Sequence, residues 1–255
     1  MQQGWGAADA MDGVDVARLE RAALNAVPAA RVAWDGGFVV RAFLGGTGRA
    51  NAACSFDPSA DPGLEARVAR IEAHYGRLGL PCRFRSTPLD PPDLVPLLQA
   101  RGYREAEGAV IMSGRLASAA DAALRWPDGP DEDWLSVLST ADYQTPARRE
   151  EKRLAVGMLL RPAAWAVLPM EGTPAACGHA VADDGLCGLF DIATAPAFRR
   201  RGLAARVIRG LADWGAGLGA SVCWLQVATG NAGAQALYAG LGLSERYRYR
   251  YFLKG

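Results

Sequence analysis

Two stretches of this chain, set 139–140 residues apart, run through the same order of elements, and that repetition limits the fold more than any other feature. Gly63-Leu64-Glu65-Ala66-Arg67-Val68 aligns with Gly202-Leu203-Ala204-Ala205-Arg206-Val207, and Tyr75 then falls opposite Trp214. Further on, Leu97 and Gly102 align with Leu237 and Gly242. Each copy reads as helix, strand, short helix, glycine, strand. A 255-residue chain that is 50% apolar has the length and the core residues for two such units.

Local periodicity fills in the units. Leu64, Val68, Ile71, Tyr75 and Leu78 step as one helix face. Residues 14–25, 92–101, 134–138 and 146–160 also read as helices. Residues 38–43, 82–85, 109–112, 165–168, 175–182 and 186–194 read as strands, separated in the second half by Glu171-Gly172 and Asp183-Asp184-Gly185 turns. A helix over 202–217, a strand over 222–228, a helix over 232–240 and a strand over 247–253 follow. The segment 116–133, rich in Ala, Asp, Pro and Gly, reads as the linker. The expected division is 1–118 and 119–255, in an α/β architecture with a mixed sheet flanked by helices.

Charge is balanced, with 28 Lys+Arg against 27 Asp+Glu. Nothing global points to nucleic acid or to an anionic membrane. The five cysteines are odd in number and lack metal-type spacing, so reduced thiols in a cytoplasmic protein are expected, with no metal. No apolar signal segment occurs before Arg21, and no apolar run is long enough to span a bilayer. The tail Arg246-Tyr247-Arg248-Tyr249-Arg250-Tyr251 interleaves basic and aromatic residues, but strict alternation puts the tyrosines on one strand face, as a core strand requires.

The chemistry concentrates between Asp191 and Ala205. A strand ends at Pro196, an Arg-rich turn follows, and a helix starts directly at Gly202. Free N–H groups at the positive end of a helix dipole bind phosphate. Gly202 relaxes the turn and Ala204 leaves the amides unshielded.

Arg199-x-x-Gly202-x-Ala204, followed by Leu225-x-Val227, Asn231, Ala234, Leu237-Tyr238 and Leu241-Gly242, resembles the Gcn5-related N-acetyltransferase (GNAT) family from about Trp134 to the end. The resemblance implies a tandem GNAT fold with a degenerate first unit and catalysis in the second. It implies that Ile192, Ala193 and Thr194 pair with the pantetheine arm of acetyl-CoA, and that Arg199, Arg200, Arg201, Gly202, Leu203, Ala204 and Ala205 cradle its pyrophosphate. Asn231 would touch the pantetheine, and Tyr238 would stand by the thioester sulfur and protonate the thiolate. The implied reaction is direct acetyl transfer to a small-molecule or peptide amine.

Where many relatives carry a glutamate base, this chain has Gln226, which cannot usefully take a proton. Keeping an amine neutral at pH 7 costs about 1.4 kcal/mol for an α-amino group and about 4.6 kcal/mol for lysine. Asp191, His179 or a water chain are the candidate stand-ins. A non-catalytic acyl-CoA sensor is the rival reading that Gln226 raises. The small residues Ala193, Ala195 and Ala228 leave open a longer acyl group or a hydroxyl acceptor. In the first unit Ala60, Pro62, Pro91 and Leu98 stand opposite Arg199, Arg201, Asn231 and Tyr238, so that unit is expected neither to hold pyrophosphate nor to catalyse. Arg41, Arg49 and Asn51 there are candidates to line a substrate pocket, with a fold-supporting role as the alternative. Monomer and homodimer both remain open.

Overall fold

In the computed structural model, residues 14–141 and 144–254 are described, so most of the stretch before Arg21 that is read for a signal segment lies outside the described residues. The first half contains α1 (Val16–Ala26), β1 (Arg31–Asp35), β2 (Phe38–Ala42), β3 (Ala53–Ser55), α2 (Leu64–Arg77), β4 (Arg83–Ser86), α3 (Leu94–Ala100) and β5 (Tyr103–Gly114). The second contains α4 (Glu132–Leu138), α5 (Pro146–Ala155), β6 (Ala163–Met170), β7 (Thr173–Asp183), β8 (Leu186–Thr194), α6 (Leu203–Gly217), β9 (Val222–Ala228), α7 (Ala232–Gly240) and β10 (Ser244–Lys254). Helix starts follow local chemistry: Asp15, Asp131, Thr145 and Asn231 each accept a first-turn N–H through the side chain.

All ten strands form one sheet in the order β1-β2-β3-β4-β10-β5-β9-β8-β7-β6. The order is symmetric about the central pair. The first four strands of each half are completed by the last strand of the other half: β10 pairs with β4, and β5 pairs with β9. Only β3–β4 and β8–β9 are parallel, each joined by a helical crossover. The two halves of the sheet are therefore strand-exchanged, and the apolar layers follow the exchange. Helices α2 and α3 cover one core containing Phe84 and Phe252, α6 and α7 cover another with Leu225 and Val207, and α1 closes the opposite face over Trp224, Tyr247 and Tyr249.

Two strands escape a reading of sequence pattern. β1 is an edge strand with four of its five residues exposed, and β3 has three residues, so neither carries a periodic apolar signal. Segment 116–133 is tied down rather than loose: Leu124 is buried in the α6 core, Arg206 grips Asp121 at 2.8 Å, and Arg125 bridges to Val167. The Arg/Tyr tail is a core strand. Tyr247 and Tyr249 are buried, Arg248 and Arg250 pair outward with Glu245 and Glu105, and a bulge before Tyr251 turns Phe252 into the α2–α3 core.

Candidate active site

Strands β8 and β9 run side by side only from Leu186–Val222 to Leu189–Leu225. Beyond that pair β8 continues to Thr194 and β9 to Ala228, so the two splay and open a wedge in the middle of the sheet. A bulge helps to splay them: Asp191 has a φ of 53°, and the β7–β8 register slips between Cys177 and His179. Ala193 and Thr194 pair with β7 on one side and leave their other edge to the wedge. The wedge opens into a cleft of about 310 Å3 lined by Asp191, Ile192, Gln226, Asn231 and Tyr238 among others.

The turn after β8 is built as the sequence requires. Arg200 and Gly202 both lie in the left-handed region, at φ 63° and 76°. A side chain on Gly202 would meet no atom within 4 Å, so the glycine serves the dihedral and leaves the space in front of the helix open. Among the described residues none of the backbone N–H groups from Arg200 to Ala205 has a hydrogen-bond acceptor. Leu203 turns its side chain into the α6 core and offers only its amide. Arg199 Nε donates to the Thr194 carbonyl at 3.3 Å, and the Arg201 guanidinium lies over the Phe198 ring. The matching corner of the first half is already filled: Asp61 accepts the Gly63 N–H and Asp57 accepts the Ser59 N–H, both at 2.9 Å. Carboxylates there occupy amides that an anion needs.

Tyr238 projects from α7 into the cleft with its ring in the α6 core. Its hydroxyl has no hydrogen-bond partner among the described residues, and burial pushes its pKa up to about 12. Asn231 spends its side-chain oxygen on the Ala234 N–H at 3.1 Å, capping α7. Both amide atoms of Gln226 are buried without a partner, between the cleft and a small cavity that Arg41 and Arg85 also line.

Behind Asp191 lies a second chamber, between the halves. Lys152 Nζ is 2.5 Å from Asp191 Oδ2, and His179 Nδ1 is 3.2 Å from the same oxygen. Lys152 and His179 offset the cost of burying the Asp191 carboxyl and hold it well below the ordinary range, so it is ionised. Burial pulls His179 below its usual value and leaves it neutral near pH 7. Glu151, buried on α5, accepts N–H groups from Leu44, Gly46 and Thr47 and the Asn51 amide, clamping the loop of the first half onto the second. Arg41 donates to the carbonyls of Leu24, Val27 and Arg49, and Asn51 accepts from Phe43 and Gly45, so both support the fold. Arg49 lines the chamber.

Sequence reading singled out Asp191 and His179 but missed Lys152, Glu151 and the aromatic walls. One signal was available. Lys152 and Lys254 are the only lysines in a chain that otherwise uses arginine for positive charge. Among the described residues no group of three or more His, Cys, Asp or Glu is suited to hold a metal, and no helix is long and apolar enough to cross a membrane.

A strand-exchanged mixed sheet with a β8–β9 wedge, an amide-lined corner and a tyrosine in the cleft defines an acetyltransferase of the GNAT type. The chain belongs to the family described as "Probable histone acetyltransferase Rv0428c C-terminal", whose model matches residues 14–252. It is 27% identical over 249 residues to the uncharacterized N-acetyltransferase YobR of Bacillus subtilis (strain 168), covering 94% of this chain and 99% of that one. A GCN5-related N-acetyltransferase from Kribbella flavida shares the fold at a TM-score of 0.67 and 17% identity, over 93% of this chain and 95% of the other. A tandem GNAT protein from the clavulanic acid biosynthesis pathway does so at 0.58 and 13% identity, over 92% and 87%.

Proposed function

We propose that the protein transfers an acetyl group from acetyl-CoA to an amine, in one step, within the second unit (residues 119–255), while the first (residues 1–118) walls the acceptor side. The observation that carries this reading is the β8–β9 wedge leading straight to the outward-facing amides of residues 200–205. The open edge of Ile192, Ala193 and Thr194 offers strand-like pairing to the two amides of a pantetheine arm. The amides of the turn, with Arg199, Arg200 and Arg201, suit a diphosphate, each charge-assisted bond contributing about 1.5–3 kcal/mol. The exposed amide nitrogen of Asn231 reaches the same cleft while its oxygen caps α7.

Direct transfer fits the thiols. Burial raises Cys54 to about 12 and Cys177 beyond its ordinary range, which leaves them protonated and poor nucleophiles. Tyr238 faces the sulfur's place in the cleft. A phenol near 12 gives its proton to a thiolate near ~8.5 only at a cost of about 5 kcal/mol, so Tyr238 acts by donating a hydrogen bond as the C–S bond breaks. Gln226 contributes its amide as a positioning group and accepts no proton. All five cysteines are unpaired, which suits a reducing cytoplasm.

Calorimetry with acetyl-CoA tests the assignment. Wild type is expected to bind saturably, and Gly202→Glu, which places a carboxylate in the open space before the helix and strains a left-handed residue, is expected to abolish binding. Undiminished binding in that variant removes the corner from the site. Binding without thiol release across a wide amine panel would favour a CoA-binding sensor, the reading that the unpartnered Gln226 amide supports.

A further inference from the structure

We infer that the chamber behind Asp191 is the acceptor site, that it takes a small primary amine carried on a flat uncharged body, and that His179 receives the proton this amine loses. The inference rests on the acetyl transfer proposed above. The chamber and the cleft meet at Phe190 and Asp191, which line both, so a group seated in one faces a thioester seated in the other.

The lining sorts by chemistry. Phe43, Trp134, Leu159, Trp165 and Phe190 give apolar surface, and Asp191, which also lines the cleft, holds Lys152 and His179 at its carboxylate. The chamber's cavity volume is about 60 Å3, on a scale where one water needs about 10–15 Å3. That admits an amine head and the first part of a flat body. Of the carboxylates in the lining, Asp191 is paired with Lys152 and Glu151 is taken up by the Leu44, Gly46 and Thr47 N–H groups and the Asn51 amide, so neither is left for the second charge of a polycation, and polyamines and lysine-rich tails are poor matches. The Gln144 amide, buried with both polar atoms unpartnered, offers one further hydrogen-bonding group.

His179 is built to take a proton. Its ring stacks between Trp165, at 5.8 Å and 13°, and Phe190, at 5.1 Å and 24°, which fixes its plane. The ionised Asp191 beside Nδ1 favours the tautomer with the proton on that nitrogen and leaves the lone pair on Nε2. Nε2 makes no hydrogen bond among the described residues, and the His179 ring lines the chamber. Nδ1 approaches Asp191 obliquely, a contact that tightens as the imidazolium forms. Asp191 and Lys152 are positioning residues: one orients the imidazole, and the other keeps the carboxylate charged. In the step itself the amine lone pair attacks the thioester carbon, the C–N bond forms and the C–S bond breaks. The proton on nitrogen passes to His179 Nε2 and on to solvent, and the departing thiolate takes one proton in return.

The charged groups around His179 are Asp191 on β8, Lys152, Glu151 and Arg148 on α5, and Arg49 on the 48–50 turn. Burial lowers His179 from its ordinary value, so the loss of its lone pair to a proton on the acid side of neutrality gives kcat/KM an acid limb. The test measures CoA release with 2-phenylethylamine and with spermidine, and acetyl-CoA affinity by calorimetry, for wild type, His179→Gln and His179→Phe. The phenylalanine variant keeps the ring stack without a nitrogen. Expected are at least tenfold higher kcat/KM for 2-phenylethylamine than for spermidine, and a loss of about 10²–10⁴ in both variants. The acid limb is expected to vanish while acetyl-CoA affinity stays unchanged. Full turnover in either folded variant, a preference for spermidine, or no turnover of 2-phenylethylamine overturns the inference. A wild-type protein that fails to bind acetyl-CoA overturns instead the function on which it rests.

Discussion

At the residue scale two hydroxyl and carboxyl groups make separable predictions. Tyr238 lines the cleft and its hydroxyl makes no hydrogen bond among the described residues, so Tyr238→Phe removes none there. Its kcat is expected to fall about tenfold to a hundredfold with the acetyl-CoA affinity and the melting temperature unchanged, read by thiol release and calorimetry. Asp90 is a stability case. Both its carboxyl oxygens are buried without a partner, and burial raises its pKa from 3.8 to about 6. A carboxyl whose folded pKa exceeds its unfolded one destabilises the fold once pH rises above the unfolded value, with the full cost reached above the folded value. Asp90→Asn is therefore expected to stabilise the protein by about 1–3 kcal/mol at pH 7 and hardly at all near pH 4. Urea midpoints at the two pH values decide it, and an equal gain at both would show that charge is not the cause.

At the scale of elements the central β5–β10 pair is the vulnerable joint. Gly108 lies where the two strands are displaced by the bulge between Tyr249 and Tyr251. A side chain at that glycine would run into the Tyr249 carbonyl, a backbone atom that cannot swing aside. Gly108→Ala is expected to cost about 1–3 kcal/mol and to lower acetyl-CoA affinity, since Gly108 and Tyr249 also line the cleft. Denaturant melts of the variant check the first expectation. The amphipathic helices, and β8, β9 and α7 with their observed limits, were legible in sequence because burial on one face writes a local period. β1 was not, because an exposed edge strand has no such period to write. Lys152 was missed for a related reason: on α5 it reads as one more exposed charge in a run of six, and only packing against β8 turns it inward.

For the whole molecule, strand exchange makes the halves one cooperative unit. Each half's sheet ends on a strand that belongs to the other, and the Glu151 clamp adds a second joint. Calorimetry is expected to show a single transition with equal calorimetric and van't Hoff enthalpies. Chains cut in the 116–133 segment are expected to aggregate when made apart and to assemble when made together, because each alone leaves an open edge next to β4 or β9. Two resolved transitions, or a stable monomeric half, would contradict the interlock.

The sequence by itself determined the corner proposed to hold a diphosphate. A strand end, a proline, a glycine and a helix start are signalled by dihedral preferences and hydrogen-bonding needs within about fifteen residues, so the order of elements from Asp191 to Ala205 is readable from that stretch alone. Only the tertiary structure decided which last strand completes which sheet, since strand pairing is a contact between residues far apart in sequence and no local pattern in β5 or β10 names the partner. It alone also brought Lys152 and His179 onto one oxygen atom of Asp191, from a helix and two strands, because the cost of burying the Asp191 carboxylate and the Lys152 ammonium is offset only when the two arrive together.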